Sequence, residues 1–268
     1  MSSAFQFEER DDGIGVITLD LPDKKVNTLS QAVLTELGGL LAGLMKRSDL
    51  RGLLFRSGKP GQFIAGADLK ELGALAFASK EMISQAVGMG HKLFGMVARL
   101  PFPTVALVDG NCMGGGTELI LTMDDRILSQ CSQTKIALPE TKIGLIPGWG
   151  GTQRLPRLVG PAKAKDLIFS GRMVKAAEAH AIGLADLVAP DDGVYEAARG
   201  LVQRYAAGPA LALRAAKQAI DHGLDVDLAT GLEIERVQFA ALFSTEDQRA
   251  GMKSFLENGP NKATFTGR

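Results

Sequence analysis

Hydrophobic and polar positions follow two alternating periods in the first half of the chain. The segment GIGVITLDL (13–21) is rich in β-branched residues with alternating apolar positions, which predicts a strand. Apolar residues then recur at helical spacing from Val33 to Leu44, and Ser30 before them is a predicted helix cap. LRGLLFRSG (50–58) and PTVALVDG (103–110) predict further strands.

The connecting segments complete this alternation. FIAGADLKEL (63–72) passes from strand to helix, and HKLFGMVARL (91–100) predicts a helix that stops before Pro101. DDRILSQ (124–130) and TKIALPE (134–140) predict two short strands around a turn. Repetition of strand, helix and strand predicts an α/β fold.

From about residue 160 onward the pattern predicts mainly helix. Two long amphipathic helical stretches, 209–224 and 228–257, dominate this part. We expect such a C-terminal region either to cover its own domain or to pack on a neighbouring subunit.

Composition and charge exclude several classes of protein. The chain has 268 residues, 46% of them hydrophobic, and balances 30 basic against 30 acidic residues. This is typical of a globular protein and lacks the basic excess of a nucleic-acid binder. No apolar stretch reaches the length of a membrane span, and the acidic N-terminus does not resemble a secretory signal. Two cysteines and three scattered histidines predict neither a disulfide framework nor a metal site, so we expect a cytoplasmic protein.

Two turns of small residues, Ala65–Asp68 and Gly114–Gly116, each precede a predicted helix. Helix N-termini carry unpaired N–H groups, and small residues let a ligand approach them. Two such groups aimed at one point would form an oxyanion hole. The alternatives are two simple tight connections or a phosphate loop, but neither turn has the GxxxxGK[ST] pattern.

Two acidic residues accompany these turns. Glu118 falls in the first turn of the helix after the glycines, where a surface residue that complements the helix dipole is the ordinary interpretation. Glu140 follows a proline and precedes the glycine-rich turn Gly148–Gly151. Two acids beside two N–H donors would suit general acid–base chemistry on a carbonyl compound. The residues alone therefore suggest acyl chemistry without establishing that the two acids meet.

At these positions the chain resembles the enoyl-CoA hydratase/isomerase, or crotonase, family. The matching stretches are KVNTLS (25–30), GQFIAGADLKEL (61–72), DGNCMGGGTEL (109–119), LPETKIGLIPGWGGTQRLPRLVG (138–160) and AIGLADLVAP (181–190). Several of them are most similar to the hydratase half of the fatty-acid oxidation multifunctional enzymes. Those enzymes continue into a dehydrogenase, whose activity we do not expect in a chain that ends at Arg268.

The resemblance implies a fold and an assembly. The fold is a crotonase-like spiral of ββα units over residues 1–200. The region 201–268 would be helical and would drive assembly into a trimer or a dimer of trimers.

The resemblance also implies the site. The Ala67 and Gly115 N–H groups would bind the thioester oxygen, Glu118 and Glu140 would be the catalytic pair, and the Gly148 N–H would help to hold the reacting water. The acyl-CoA site would comprise, besides Ala67 and Gly115, residues Lys24, Val26, Ala65, Asp68, Leu69, Lys70 and Pro139, with Lys262 near the C-terminus reaching a phosphate.

The implied activity is that of an enoyl-CoA hydratase, with Glu118 as base and Glu140 as acid in the addition of water to trans-2-enoyl-CoA. Coenzyme A is then part of the substrate, and no cofactor, metal, nucleic acid or membrane is expected. Two alternatives remain: a Δ3,Δ2-enoyl-CoA isomerase, which needs only one of the acids, and a non-catalytic module of this fold that binds acyl-CoA or RNA. Trp149 in PGWGG either lines the acyl pocket or packs under its loop.

Overall fold

The computed structural model describes residues 3–268, which form ten strands and eleven helices. The strands are β1 (Phe5–Glu9), β2 (Ile14–Leu19), β3 (Gly52–Ser57), β4 (Gln62–Ile64), β5 (Thr104–Val108), β6 (Asn111–Met113), β7 (Asp125–Ser129), β8 (Lys135–Ala137), β9 (Val174–Lys175) and β10 (Leu187–Ala189). The helices are α1 (Gln31–Leu44), α2 (Leu69–Ala74), α3 (Lys80–Ala98), α4 (Gly115–Ile120), α5 (Gly151–Val159), α6 (Pro161–Ser170), α7 (Ala176–Ala181), α8 (Val194–Ala206), α9 (Ala210–Gly223), α10 (Leu228–Leu242) and α11 (Glu246–Asn258).

A six-stranded sheet, in the order β1-β2-β3-β5-β7-β10, forms the first layer. Only β1 runs antiparallel to its neighbour. Both faces of this sheet are covered, which is typical of parallel strands. Alternate residues of β5 show this: Val105 and Leu107 pack under α8, whereas Ala106 and Val108 belong to the main core.

A four-stranded sheet, in the order β4-β6-β8-β9, forms the second layer. Each passage of the chain adds one strand to the first sheet and the next strand to the second: β3 then β4, β5 then β6, β7 then β8. This repeat confirms the predicted spiral of ββα units. The two short strands predicted around one turn, β7 and β8, exist, but they lie in different sheets and do not pair with each other.

The C-terminal helices differ from the predicted pattern in one respect. The stretch 228–257 is interrupted after Leu242, and Thr245 starts α11 by accepting a hydrogen bond from the Gln248 N–H at 3.1 Å. Helix α9 is tied to the body of the protein by Lys217, whose Nζ lies 2.7 Å from Asp124. In contrast, α10 packs mainly on α9 and buries none of its residues.

Several short elements carry no readable sequence pattern. Strands β1 and β6 were not predicted, and β9 and β10 fall in the half expected to be mainly helical. Strands β6, β9 and β10 have only two or three residues, too few for a period of two to be recognised. Strand β1 has five residues, FQFEE, and its alternation ends in two consecutive acids. Across residues 3–268, no helix has the length and apolar character that a membrane span requires.

Candidate active site

The glycine turn Gly114–Gly116 joins β6 directly to α4. Gly114 has φ 53° and ψ −123°, a backbone conformation open to glycine, and its N–H donates to the Ala137 carbonyl at 2.9 Å. The Thr117 hydroxyl bonds the same carbonyl oxygen at 2.8 Å. These bonds to β8 fix the start of α4. The Gly115 N–H points out of the first helical turn and donates to no residue that the structure describes.

The second turn, Ala65–Asp68, joins β4 to α2. Leu29 bonds both neighbours of Ala67: its N–H donates to the Gly66 carbonyl at 2.9 Å, and its carbonyl accepts from the Asp68 N–H at 3.3 Å. Ala67 itself is half-buried, and its N–H has no acceptor within residues 3–268. The Ala67 N–H is therefore a main-chain donor without an acceptor in the described residues, and its binding of a thioester oxygen stays a prediction.

The two turns lie against each other. A Cβ atom placed on Gly114 would be 3.8 Å from the Cα of Gly66, and a Cβ atom on Gly66 would be 3.4 Å from the Met113 carbonyl oxygen. Two unpaired N–H groups, from Ala67 and Gly115, thus belong to neighbouring turns at the ends of adjacent strands β4 and β6. Such a pair of donors can bind one carbonyl oxygen.

Trp149 packs tightly beside the glycine turn. A Cβ atom on Gly115 would lie 2.6 Å from Cζ3 of its indole ring, and one on Gly90 of α3 would lie 2.2 Å from Cδ1. Phe94 meets the ring edge to face, with centroids 5.5 Å apart. The indole ring is therefore held between α3 and the glycine turn Gly114–Gly116. This supports the packing interpretation of Trp149, and its lining of an acyl pocket stays a prediction.

Glu118 is buried, with 2% of its surface exposed. Its Oε1 accepts hydrogen bonds from the Trp149 N–H at 2.7 Å and the Gly151 N–H at 2.8 Å. Because Gly151 begins α5, the carboxyl group caps that helix, where the dipole favours an anion. Burial raises the pKa of Glu118, whereas the two N–H donors and the charges of Arg154 and His91 oppose the rise.

Glu140 lies beside the glycine turn, in the short 3-10 turn Glu140–Ile143. Its Oε1 lies 3.0 Å from the position of a Cβ atom on Gly114. Its Oε2 is buried without a hydrogen-bond partner among the described residues. Burial, with a smaller contribution from the charge of Glu118, raises the pKa of Glu140 to about 7. The structure therefore brings both acids to the same turn.

Gly148 and Pro139 flank the two acids along the chain. Gly148 is half-buried, and its N–H donates to none of residues 3–268. A Cβ atom placed on Gly148 would lie 3.9 Å from the side chain of Val87 in α3. Pro139 is half-buried and immediately precedes the 3-10 turn. Both positions are compatible with their predicted roles.

The residues predicted for coenzyme A binding form an exposed surface around the Ala65–Asp68 turn. Asn27 fixes the start of this turn, because its carbonyl accepts a hydrogen bond from the Ala65 N–H at 2.8 Å. The Asp68 carboxylate caps α2 by accepting from the Lys70 N–H at 2.9 Å. Of the predicted residues on this surface, Lys24, Ala65, Leu69 and Lys70 are exposed. Val26 and Asp68 are half-buried.

Lys262 is exposed in the segment that follows α11. This segment folds back on α11, because the buried Asp247 carboxylate accepts from the Thr266 N–H at 2.7 Å and the Gly267 N–H at 2.8 Å. The structure thus attaches the segment to the C-terminal helices. Binding of a coenzyme A phosphate by Lys262 stays a prediction.

Sequence reasoning missed three residues that build the site. Asn27 is fully buried, and its amide donates to the Leu19 carbonyl at 2.9 Å and to the Phe63 carbonyl at 3.2 Å. Thr117 anchors the glycine turn, and Arg154 donates to the Trp149 carbonyl at 2.9 Å. Asn27 and Thr117 lie among polar residues and glycines, so no local pattern marks them. The signal for Arg154 is its place three residues after the turn Gly148–Gly151.

The described part of the chain offers no cluster of three or more metal-ligating side chains. The thiol of Cys112, close to the glycine turn, is fully buried, and burial raises its pKa to about 12. A thiol in that state is a poor nucleophile.

Comparison with known proteins places this geometry in context. A family model described as enoyl-CoA hydratase/isomerase matches residues 9–268. The human enoyl-CoA hydratase domain-containing protein 2, mitochondrial, is 41% identical over 96% of this chain and 87% of its own length. The human methylglutaconyl-CoA hydratase, mitochondrial, is 38% identical over 94% of this chain and 74% of its own. The crystal structure of an enoyl-CoA hydratase from Bacillus anthracis superposes with a TM-score of 0.90, at 35% identity, covering 99% of this chain and all of the other.

Proposed function

This chain belongs to the enoyl-CoA hydratase/isomerase family, and we propose that it adds water to trans-2-enoyl-CoA, giving 3-hydroxyacyl-CoA. One observation carries the proposal: two unpaired main-chain N–H groups, the buried carboxyl group of Glu118 and the half-buried one of Glu140 lie at a single pair of turns. Each of these four groups has a role in adding water to an unsaturated thioester.

The two main-chain donors act on the thioester oxygen. When water attacks C3, electron density moves through C2 to that oxygen, and the Ala67 and Gly115 N–H groups stabilise the developing negative charge. One such donor contributes roughly 3–4 kcal/mol to transition-state stabilisation in well-studied enzymes. Because the donors belong to the backbone of fixed turns, they need no reorganisation during the reaction.

The two carboxyl groups transfer the protons. Ionised Glu118 takes a proton from the water as its oxygen bonds to C3, and protonated Glu140 gives its proton to C2. Both bonds form on the face that the glutamates share, so the addition is syn. Oε2 of Glu118 is the better candidate for the base, because both main-chain donors bind Oε1. The Gly148 N–H would orient the water. A proton moved from Glu118 to Glu140 restores the starting state.

Coenzyme A enters as part of the substrate, and the proposed reaction needs no separate cofactor or metal. Its adenosine and phosphate groups would lie on the surface formed by Lys24, Val26, Ala65 and α2, with the exposed ammonium of Lys70 beside it. Homotrimers, or dimers of trimers, would bury the exposed apolar side chains of α10, such as Leu232, Val237 and Phe239, which are 53–64% exposed in the single chain.

The test is loss of absorbance of the conjugated enoyl thioester when the purified protein meets trans-2-enoyl-CoA substrates. The panel runs from crotonyl-CoA to long straight chains and includes 3-methylglutaconyl-CoA, because a methylglutaconyl-CoA hydratase is among the relatives. Rapid loss with the wild type, and none with Glu118→Gln or Glu140→Gln, supports hydration. Turnover of a 3-enoyl-CoA that survives in one of these variants would instead favour isomerisation, which requires a single acid.

A further inference from the structure

Arg154 is a half-buried cation at the edge of the candidate site, with no role assigned above. It lies on the first turn of α5 and folds back over the N-terminus of its own helix. Its Nη1 donates to the Trp149 carbonyl at 2.9 Å. Burial lowers the pKa of Arg154, opposed by the charge of Glu118. Holding a cation partly out of water costs free energy. The hydrogen bond to Trp149 and the negative charge of Glu118 offset this cost.

The turn that Arg154 holds is the one that binds Glu118. Residues Trp149 and Gly151 supply the two N–H donors to the Glu118 carboxylate, and Gly150 between them has φ 114°. A Cβ atom on Gly150 would lie 2.0 Å from Nη1 of Arg154. Glycine at 150 therefore both permits the backbone conformation and leaves room for the guanidinium. Arg154 thus bonds the Trp149 carbonyl of a turn whose Trp149 and Gly151 N–H groups bond the Glu118 carboxylate.

The charged groups around this pair come from four elements. Glu118 is faced by Arg154 of α5, His91 of α3 and Glu140 of the 3-10 turn. Arg154 is faced in addition by Asp225, which follows α9, and by Arg99, which follows α3. Arg154 is the permanently charged cation in the set that faces Glu118, because histidine titrates near neutral pH.

We propose that Arg154 is a positioning residue for the hydration reaction: its guanidinium holds the Trp149–Gly151 turn against the Glu118 carboxylate and supplies the positive charge that keeps this base anionic. Among the described residues, the charge that acts on Glu140 is that of Glu118, and Glu140 remains the acid. The inference rests on the proposed function for its catalytic meaning. The charge state of Glu118, however, can be measured without substrate.

The experiment is a carbon-13 NMR titration of protein labelled at the glutamate carboxyl carbons. Comparison with the Glu118→Gln spectrum assigns the Glu118 signal. Arg154→Gln keeps a donor for the Trp149 carbonyl but removes the charge, and Arg154→Lys keeps the charge. The matched control is Arg157→Met, which changes an exposed arginine of the same helix that bonds only Gln153.

We expect the titration midpoint of Glu118 to rise by about one pH unit in Arg154→Gln. It should stay near the wild-type value in Arg154→Lys and Arg157→Met. If the wild type hydrates an enoyl-CoA, the acid limb of its kcat/KM profile should move to higher pH by the same amount in Arg154→Gln. A purely structural loss would lower kcat without moving this limb.

An unchanged Glu118 midpoint in folded Arg154→Gln overturns the proposal, whatever the protein's activity. If Arg154→Gln does not fold, the titration of Arg154→Lys is the test. Because lysine keeps the positive charge, a Glu118 midpoint displaced by about one pH unit in Arg154→Lys would also contradict a role for the charge. A wild type that hydrates none of the substrates refutes the proposed function and leaves the titration result standing on its own.

Discussion

The two carboxyl groups of the site lie at one glycine turn but in different surroundings. Glu118 caps α5 through two main-chain donors and faces Arg154. Glu140 has a buried Oε2 without a hydrogen-bond partner in residues 3–268, and burial raises its pKa to about 7. Burial raises the pKa of both carboxyl groups, but two main-chain donors and the charge of Arg154 oppose the rise at Glu118. The proposed division makes Glu118 the base and Glu140 the acid. Environment alone can divide a pair of glutamates into base and acid.

The largest expected effect comes from removing either acid. Glu118→Gln and Glu140→Gln should each lower kcat by about 10²–10⁴-fold, because each removes one proton transfer. Binding of a saturated acyl-CoA should survive, since the main-chain donors remain. Steady-state kinetics and calorimetry measure the two quantities. Glu257→Gln, on the exposed face of α11, is the control. Equal activity in wild type and either variant would exclude the pair as catalysts.

Gly115→Ala should cost somewhat less, about 10²–10³-fold in kcat. The added methyl group would lie 2.6 Å from the Trp149 ring and displace the turn that carries the main-chain donor. Gly43→Ala is the matched control, because a Cβ atom there meets nothing within 4 Å. In Gly90→Ala, the added methyl group would clash with the same indole ring from the side of α3. Loss of activity in Gly115→Ala but not in Gly90→Ala would separate damage to the donor from movement of Trp149.

The difference in charge state predicts a bell-shaped pH dependence. Activity requires Glu140 with its proton, so kcat/KM should fall as pH rises through about 7. It should also fall at low pH, where Glu118 gains a proton. The two limbs belong to a coupled pair. Measurement of kcat/KM from about pH 5 to about pH 10 tests this, with enzyme stability checked at each pH. A rate that stays constant well above pH 8 would contradict the role of Glu140 as acid.

The smallest effect is on stability. The folded pKa of Glu140 lies above the 4.5 of an ordinary glutamate, so the folded state disfavours its ionised form. The resulting loss of folding free energy is absent below about pH 4.5 and reaches its full value above about pH 7. Glu140→Gln should therefore be more stable than the wild type at about pH 8, by roughly 1–2 kcal/mol after allowance for partial solvent exposure. Thermal unfolding at equal protein concentration should show the gap closing at about pH 5. A gap independent of pH would point to packing instead.

The sequence predicts the main architecture because its long elements have clear periods. The spiral, the two small-residue turns and the position of Glu118 in the first turn of α4 follow from local pattern and from the resemblance. The break between α10 and α11 was not predicted, although Thr245 and Gln248 form a T-x-x-Q cap signature at the start of α11. The shortest strands are defined by their partners, as β6 is by β4 and β8.

Contacts between distant segments limit what the sequence reveals about the site. Glu118 meets the Trp149 N–H across 31 positions, and Gly90 of α3 makes room for the Trp149 ring. Neither relation follows from spacing along the chain. The same holds for Asn27, which bonds three separate strands or their ends. Charge states depend on such contacts, so the division of the two glutamates into base and acid needs the folded chain.

The most direct test of this division is a carbon-13 titration of both glutamates in the substrate-free wild type, assigned with the two glutamine variants. The account predicts that Glu118 is ionised at neutral pH, whereas Glu140 still carries its proton in about half of the molecules near pH 7. The opposite order, with Glu140 ionised and Glu118 protonated at neutral pH, would contradict it.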